Sequence, residues 1–260
     1  MFLMASWGSS GAGKTTVAMA LASALAHRKK DVLILSSEMR TPELPVLLPT
    51  VTGLTGNHSI GPLLTTSEQT EAALKDRMIG HPKSSHIFCM GFVSGETAAM
   101  TYGPPTRAAV TSLFQLLGQT PFQYVIVDCD SNPLYDQTTL AALEYAQLGL
   151  SVLTPDTRGY EFQKAQLGWL GNSDVCHMDK FIRIANPVFS HTPIKDAQAL
   201  FGGFAYTLPF SPQVAEKMMA GELLTGLDTT SGAVFERQIS RLADQVEEEA
   251  NHANSIRKNE

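Results

Sequence analysis

The chain carries Gly8-Ser9-Ser10-Gly11-Ala12-Gly13-Lys14-Thr15-Thr16 close to its first residue, a G-x-x-x-x-G-K-T spacing. Few short stretches constrain a fold so tightly. The loop needs a strand before it and a helix after it, so that its backbone N–H groups and the helix N-terminus face one point in space. Both flanks are present. "FLMASW" is an apolar run of buried-strand character, and the stretch from Thr15 to His27 sets Val17, Leu21, Ala24 and Leu25 on one helical face. Such a loop curls around phosphates. Lys14 is expected at the β- and γ-phosphates of a nucleotide, Thr15 on a Mg²⁺ ion and Thr16 on the α-phosphate.

Beyond the loop, strands alternate with helices. "DVLILSS", "SHIFCMGF", "YVIVDCD", "LSVLTP", "KFIRIAN" and "AYTLPF" read as further strands. A helix is expected from an N-cap at Ser67 to about Ile79, another from Thr106 to Leu117, and a third carrying Leu140 and Leu143 and closed by Gly149. Tyr160 to Leu170 reads as a helix too. Ser211-Pro212 opens one that Gly221 stops, and Phe235, Ile239, Leu242 and Val246 line the last. The alternation predicts an α/β fold: a mostly parallel sheet with helices on both faces, of the P-loop NTPase kind. One such domain is expected over 1–248, followed by a polar tail over 249–260 that frays.

"YVIVDCDSNP" gives the loop a partner. A buried strand ending in Asp128 sets a carboxylate where it can orient the shell of Mg²⁺, the alternative being a structural strand-end Asp. Many ATP-driven motors follow this Asp with a catalytic Glu, but here Cys129 stands there. A guanine-specific enzyme would read D-x-x-G, and Ser131 takes the glycine position. ATP is therefore the expected nucleotide.

With these residues the chain resembles the MinD/ParA family of P-loop ATPases, the deviant Walker A group, over almost its whole length. The resemblance rests on GSSGAGKTT, "DVLILSSEM", "FQYVIVDCDSNP", "LSVLTPDTRGYEF", "FIRIANP" and "TLPFSPQVAEKMMAGELL", in the family's order. It implies a homodimer that forms with ATP, Asn186 near the adenine, and backbone around Pro209 closing over the base. Read alone, Asn186 is equally a turn cap and Pro209 an edge-strand breaker.

Three departures bear on activity. The family's signature lysine aligns with Ser9, and Ser10 replaces the glycine after it. Losing a cation aimed at transition-state charge costs on the order of 10²- to 10³-fold in rate. The D-x-D of relatives reads Ser36 and Glu38, so Glu38 either keeps the water-positioning role, beside Lys14 and Asp128 as catalytic candidates, or is a strand-end surface residue. Hydrolysis is expected to be slow. Among branches, the degenerate loop is most similar to that of CpaE/TadZ-like proteins, which implies a protein partner in a membrane-associated machine of pilus, secretion or conjugation type.

Composition narrows the alternatives. With 19 basic and 25 acidic residues the net charge is −6, which disfavours non-specific nucleic-acid binding, although Arg237 and Arg241 form a weak basic stripe. A ParA-like partition protein and a non-hydrolysing ATP-dependent scaffold remain open. So does a small-molecule kinase with the Pro-rich segment after Met39 as its lid. The tail lacks an amphipathic membrane anchor, the start lacks a basic leader, and the three scattered cysteines (Cys89, Cys129, Cys176) suit reduced thiols, so a cytoplasmic protein is expected. His81, His86, His177 and His191 show no metal-binding spacing. Trp7 is read as core filling, with packing under the nucleotide site as the alternative.

Overall fold

The computed structural model describes residues 1–67, 69–134, 136–170, 178–187 and 189–257. In chain order the elements are β1 (Phe2–Gly8), α1 (Lys14–His27), β2 (Val32–Ser36), α2 (Leu44–Leu47), α3 (Gly61–Thr65), α4 (Glu71–Lys75), β3 (Ile79–Gly80), β4 (Ile87–Met90) and α5 (Ala98–Thr101). There follow α6 (Arg107–Leu117), β5 (Tyr124–Asp128), α7 (Gln137–Tyr145), β6 (Leu148–Leu153), α8 (Thr157–Leu170), β7 (Phe181–Ala185), α9 (Ile194–Phe201), β8 (Tyr206–Thr207), α10 (Pro212–Ala220) and α11 (Thr230–Arg257).

The strands form one sheet in the order β3-β4-β2-β5-β1-β6-β7-β8, parallel throughout except for the antiparallel β3–β4 pair. This is the expected fold class. The strands are near-continuously apolar because helices cover both faces. Phe2 and Met4 point into a layer with α1, α10 and α11, whereas Leu3, Ala5 and Trp7 point into a layer with α3, α6 and α7. Trp7 packs on Phe162 and Phe181, on the face away from α1, so it fills the core. Among the described residues no helix is long and apolar enough to cross a membrane.

Two local expectations change. The Ser67–Ile79 helix shrinks to α4, capped by Thr70, whose hydroxyl accepts from the Ala73 N–H. Ile79 and Gly80 instead pair with Cys89 and Phe88. Gly149 does not close α7. It lies inside β6, where a Cβ would fall 2.4 Å from the Phe181 ring, so the glycine serves strand packing. The last helix, α11, is continuous to Arg257, with Ala250 buried in the layer that holds α1. Arg28 anchors it from the end of α1 by ion pairs to Asp244 and Glu247. Cys176 and His177 lie outside the described residues.

β1 sits in the middle, with β5 on one side and β6 on the other. On one side of β1 the chain lays down β2, β3 and β4 and then returns to place β5 between β2 and β1; on the other side it runs outward through β6, β7 and β8. Its strand order therefore reverses beside β1, and the crevice beyond the C-terminal ends of the strands at that point is where ligands enter open α/β sheets. Gly8 ends β1 there. A Cβ on it would lie 1.8 Å from the Val152 carbonyl oxygen of β6, which is backbone and cannot step aside. Gly8→Ala is expected to lower stability by about 1–3 kcal/mol or more through overpacking, whether or not nucleotide is present. Urea unfolding of wild type and variant, each with and without Mg-ATP, measures this.

Candidate nucleotide site

Five candidate segments meet at this edge of the sheet because the strands that end there run parallel. β1 delivers the glycine-rich loop, β2 delivers Ser36 and Glu38, and β5 delivers Asp128. In the ladder Asp128 stands opposite Ser6 of β1 and Ser36 of β2. β7 ends just before Asn186, and β8 just before Leu208 and Pro209.

Gly11 and Gly13 take positive φ (76° and 83°), the left-handed conformation that lets the loop curl and start α1. Asn186 locks the loop from the far side. Its Nδ2 donates to the Ala12 carbonyl at 2.8 Å, and a Cβ at Gly13 would fall 2.2 Å from that nitrogen. Asn186 is thus a brace of the loop as well as an adenine-side candidate. Pro209 is partly exposed beyond β8, three strands from β1, and its placement at the same sheet edge is what the structure adds.

Lys14 opens α1 with its ammonium turned back over the loop, donating to Ser131 Oγ at 2.7 Å and to the Ser9 carbonyl at 3.5 Å. Thr15 donates its hydroxyl to Asp128 Oδ2 at 2.7 Å. The other Asp128 oxygen is buried without a hydrogen-bond partner, and Asp128 is 2% exposed. Burial raises its carboxyl to about pH 6, opposed by Thr15 and Lys14 and reinforced by Glu38. An orphaned carboxylate oxygen beside a threonine hydroxyl at a helix start suits Mg²⁺, which binds through one or two protein oxygens plus phosphates and waters. Among the described residues no group of three or more His, Cys, Asp or Glu is placed to hold a metal alone, so the phosphates would have to complete the shell.

Ser9 lies buried, 5% exposed, with an unpartnered hydroxyl, whereas Ser10 faces solvent. Neither serine supplies charge. Cys129, at the position of the motors' Glu, is fully buried with its thiol pushed far above the ordinary range by burial, then by Asp128 and Asp136. It cannot serve as a base at neutral pH.

A polar cleft of about 510 Å³ opens over the loop, with Ser10, Gly11, Gly13, Lys14, Thr15 and Thr16 on one wall and Glu38, Arg40, Thr41 and Glu43 on the other. Glu38 is therefore a cleft residue and not a free surface side chain. Its carboxyl is raised by burial first and by Asp130 second, with Arg40 opposing. Asp130 is held by N–H donation to Thr139 Oγ1 at 2.9 Å and Ser37 Oγ at 3.2 Å, and both Thr139 and Thr138 hang from the buried Asp136 cap of α7.

Three residues at the site, Ser131 beside Lys14 and the cleft residues Arg40 and Glu43, lay beyond the sequence reading. Ser131 appeared only as a missing glycine, yet it receives the Lys14 ammonium. Arg40 and Glu43 fall in a Pro-punctuated stretch with no periodicity to orient them. The Glu43 carboxyl is raised to about 7 by burial, then by Asp128 and Glu38, with Lys14 opposing. A folded value above the unfolded one means that stability falls as pH rises from about 4.5 through about 7 and then levels. Glu43→Gln removes that cost. The nucleotide-free variant is expected to exceed wild type by about 1–2 kcal/mol at pH 8, after discounting for solvent screening, and to match it near pH 4. Thermal unfolding across that range is the check.

No protein-family model matches the chain, and no curated protein matches it. Solved structures do. The chain is similar to a ParA family ATPase from Chlorobium tepidum TLS, with a TM-score of 0.74 and 16% identity over 93% of this chain and 98% of that one. It is similar to the septum site-determining protein MinD of Pyrococcus horikoshii OT3, complexed with Mg-ADP, with a TM-score of 0.71 and 17% identity over 95% and 96%. It is also similar to the MinC:MinD cell division protein complex of Aquifex aeolicus, with a TM-score of 0.70 and 15% identity over 93% and 96%. At these identities the likeness is one of fold, and the fold of this chain is that of the ParA/MinD ATPases.

Proposed function

We propose that the protein is an ATP-binding switch that pairs with a second copy of itself when Mg-ATP is bound, hydrolyses ATP slowly, and acts in the cytoplasm on a protein partner. The observation that carries this reading is the joint placement of Lys14, Thr15 and Asp128 at the strand-order reversal, with Asp128 holding one orphaned oxygen. Lys14 and the loop N–H groups hold the phosphates, Thr15 and Asp128 hold the metal, and Asn186 with the backbone at Pro209 borders the adenine. Bound magnesium would screen phosphate charge. Glu38, which lines the cleft across from the loop, orients the attacking water in this reading. The Mg-ADP of the Pyrococcus MinD and the MinC partner of the Aquifex MinD support a nucleotide and a protein partner on this fold. A pilus, secretion or conjugation machine as that partner rests on the degenerate loop that the chain shares with CpaE/TadZ-like proteins.

Slow turnover follows from Ser9. With a buried neutral hydroxyl where a lysine would reach the partner's phosphates, about 10²- to 10³-fold in rate is forgone. Light scattering coupled to size-exclusion chromatography, with Mg²⁺ and no nucleotide, ADP, ATP or a slow ATP analogue, tests the switch. The expected result is a monomer that doubles in mass only with ATP or its analogue. Lys14→Ala is expected to abolish both the doubling and phosphate release. A mass that no nucleotide changes would sink the switch reading and leave a scaffold or a kinase.

One observation favours a second reading, a partition protein that binds DNA. Arg237 and Arg241 are exposed one turn apart on α11, and neither has an ion-pair partner among the described residues. This reading expects ATP-dependent DNA binding that weakens steeply with salt, and further weakening in Arg237→Ala/Arg241→Ala. Fluorescence anisotropy at two salt concentrations decides it, and unchanged anisotropy with ATP present counts against it.

A further inference from the structure

The cleft is crowded with negative charge. Glu38, Glu43, Asp128 and Asp130 stand around it, while the cations lining it are Lys14 and Arg40. Lys14 is committed to the loop and Ser131. Arg40 is not committed in the same way. Its Nε lies 3.3 Å from Glu38 Oε1 and its Nη2 lies 3.4 Å from Asp130 Oδ1, both longer than the 2.7–2.9 Å of a strong charged pair. Its side chain is 64% exposed, whereas those of Glu38 and Asp130 are 16% and 4% exposed. A guanidinium held loosely by two largely buried carboxylates, at the mouth of a phosphate site, is poised to change partners. A terminal phosphate offers it two charges and a matching pair of oxygens.

We propose that Arg40 is the γ-phosphate sensor of this site. It exchanges Glu38 and Asp130 for the terminal phosphate of ATP, and so supplies from the segment after β2 the charge that Ser9 does not. The exchange frees the Glu38 carboxylate for the cleft and ties the chain leading into α2 to the presence of the third phosphate. ADP lacks that phosphate and leaves Arg40 on its carboxylates. The inference rests on the nucleotide-site reading above, and adds discrimination between ATP and ADP by one named residue.

The experiment is a titration of wild type, Arg40→Gln and Arg40→Lys with fluorescent ADP and a fluorescent non-hydrolysable ATP analogue, with Mg²⁺ present. Wild type is expected to bind both. Arg40→Gln is expected to lose about tenfold or more in affinity for the ATP analogue while ADP stays within about twofold, and Arg40→Lys to recover part of the loss because it keeps charge but not the fork. Melting of the nucleotide-free variants serves as the folding control. Both are expected to fold, with at most a small drop in melting temperature, because the guanidinium end of each pair is solvent-exposed and lies 3.3 Å or 3.4 Å from its largely buried carboxylate. Equal losses for both nucleotides, or no loss for the ATP analogue, overturn the sensor role while leaving the nucleotide site standing. Failure of wild type to bind either nucleotide overturns the site reading itself, and the sensor with it.

Discussion

Everything at the candidate site depends on β1 being hydrogen-bonded along both edges by parallel neighbours. Because β5 and β6 flank it in the same direction, the C-terminal ends of three strands open onto one crevice. The loop after β1 then has nowhere to go but over that crevice. Gly8 makes the pairing close enough, since any side chain there would strike the backbone of β6. The same register sets Asp128 beside Ser6 and within reach of Thr15, so the central pairing also builds the link between the two motifs.

That link is electrostatically costly without a ligand. Asp128 is raised to about 6 by burial and then by Glu38, Glu43 to about 7 by burial and then by Asp128 and Glu38, and Glu38 is raised by burial and then by Asp130. Folding has gathered carboxylates that repel one another, and Lys14, the lysine that lines the cleft among the described residues, is held on Ser131. A site with this imbalance gains most from a divalent cation and from any cation free to swing. Such strain at a ligand site is what a binding-driven switch requires, because the ligand must favour one arrangement over another to shift the balance.

The loop's departure from its relatives acquires a physical form in the structure. Ser9 is not an exposed serine in place of an exposed lysine. It is buried with its hydroxyl unpaired, so the side chain at this position does not emerge at the surface. Asn186 braces the loop by bonding the Ala12 carbonyl and occupying the space above Gly13. The loop is therefore braced more than it is charged.

The sequence by itself determined the strand–loop–helix unit, the alternation of buried strands with helices, and the pairing of Lys14 and Thr15 with Asp128. Those features are carried by local spacing and by apolar runs, which hold wherever the chain lies. It misplaced the region between residues 67 and 80, where weak helical periodicity gave way to the edge pairing of Ile79 and Gly80 with β4. It also took Gly149 for a helix stop, since a glycine's role depends on what approaches it and Phe181 is far away in the chain. Only the tertiary structure decided that Ser131 receives Lys14, that Glu38 and Glu43 share a cleft, and that Arg40 bridges the ends of β2 and β5. Each of those contacts joins segments brought together by parallel strand order, and no local pattern encodes which side chains will face one another across a cleft.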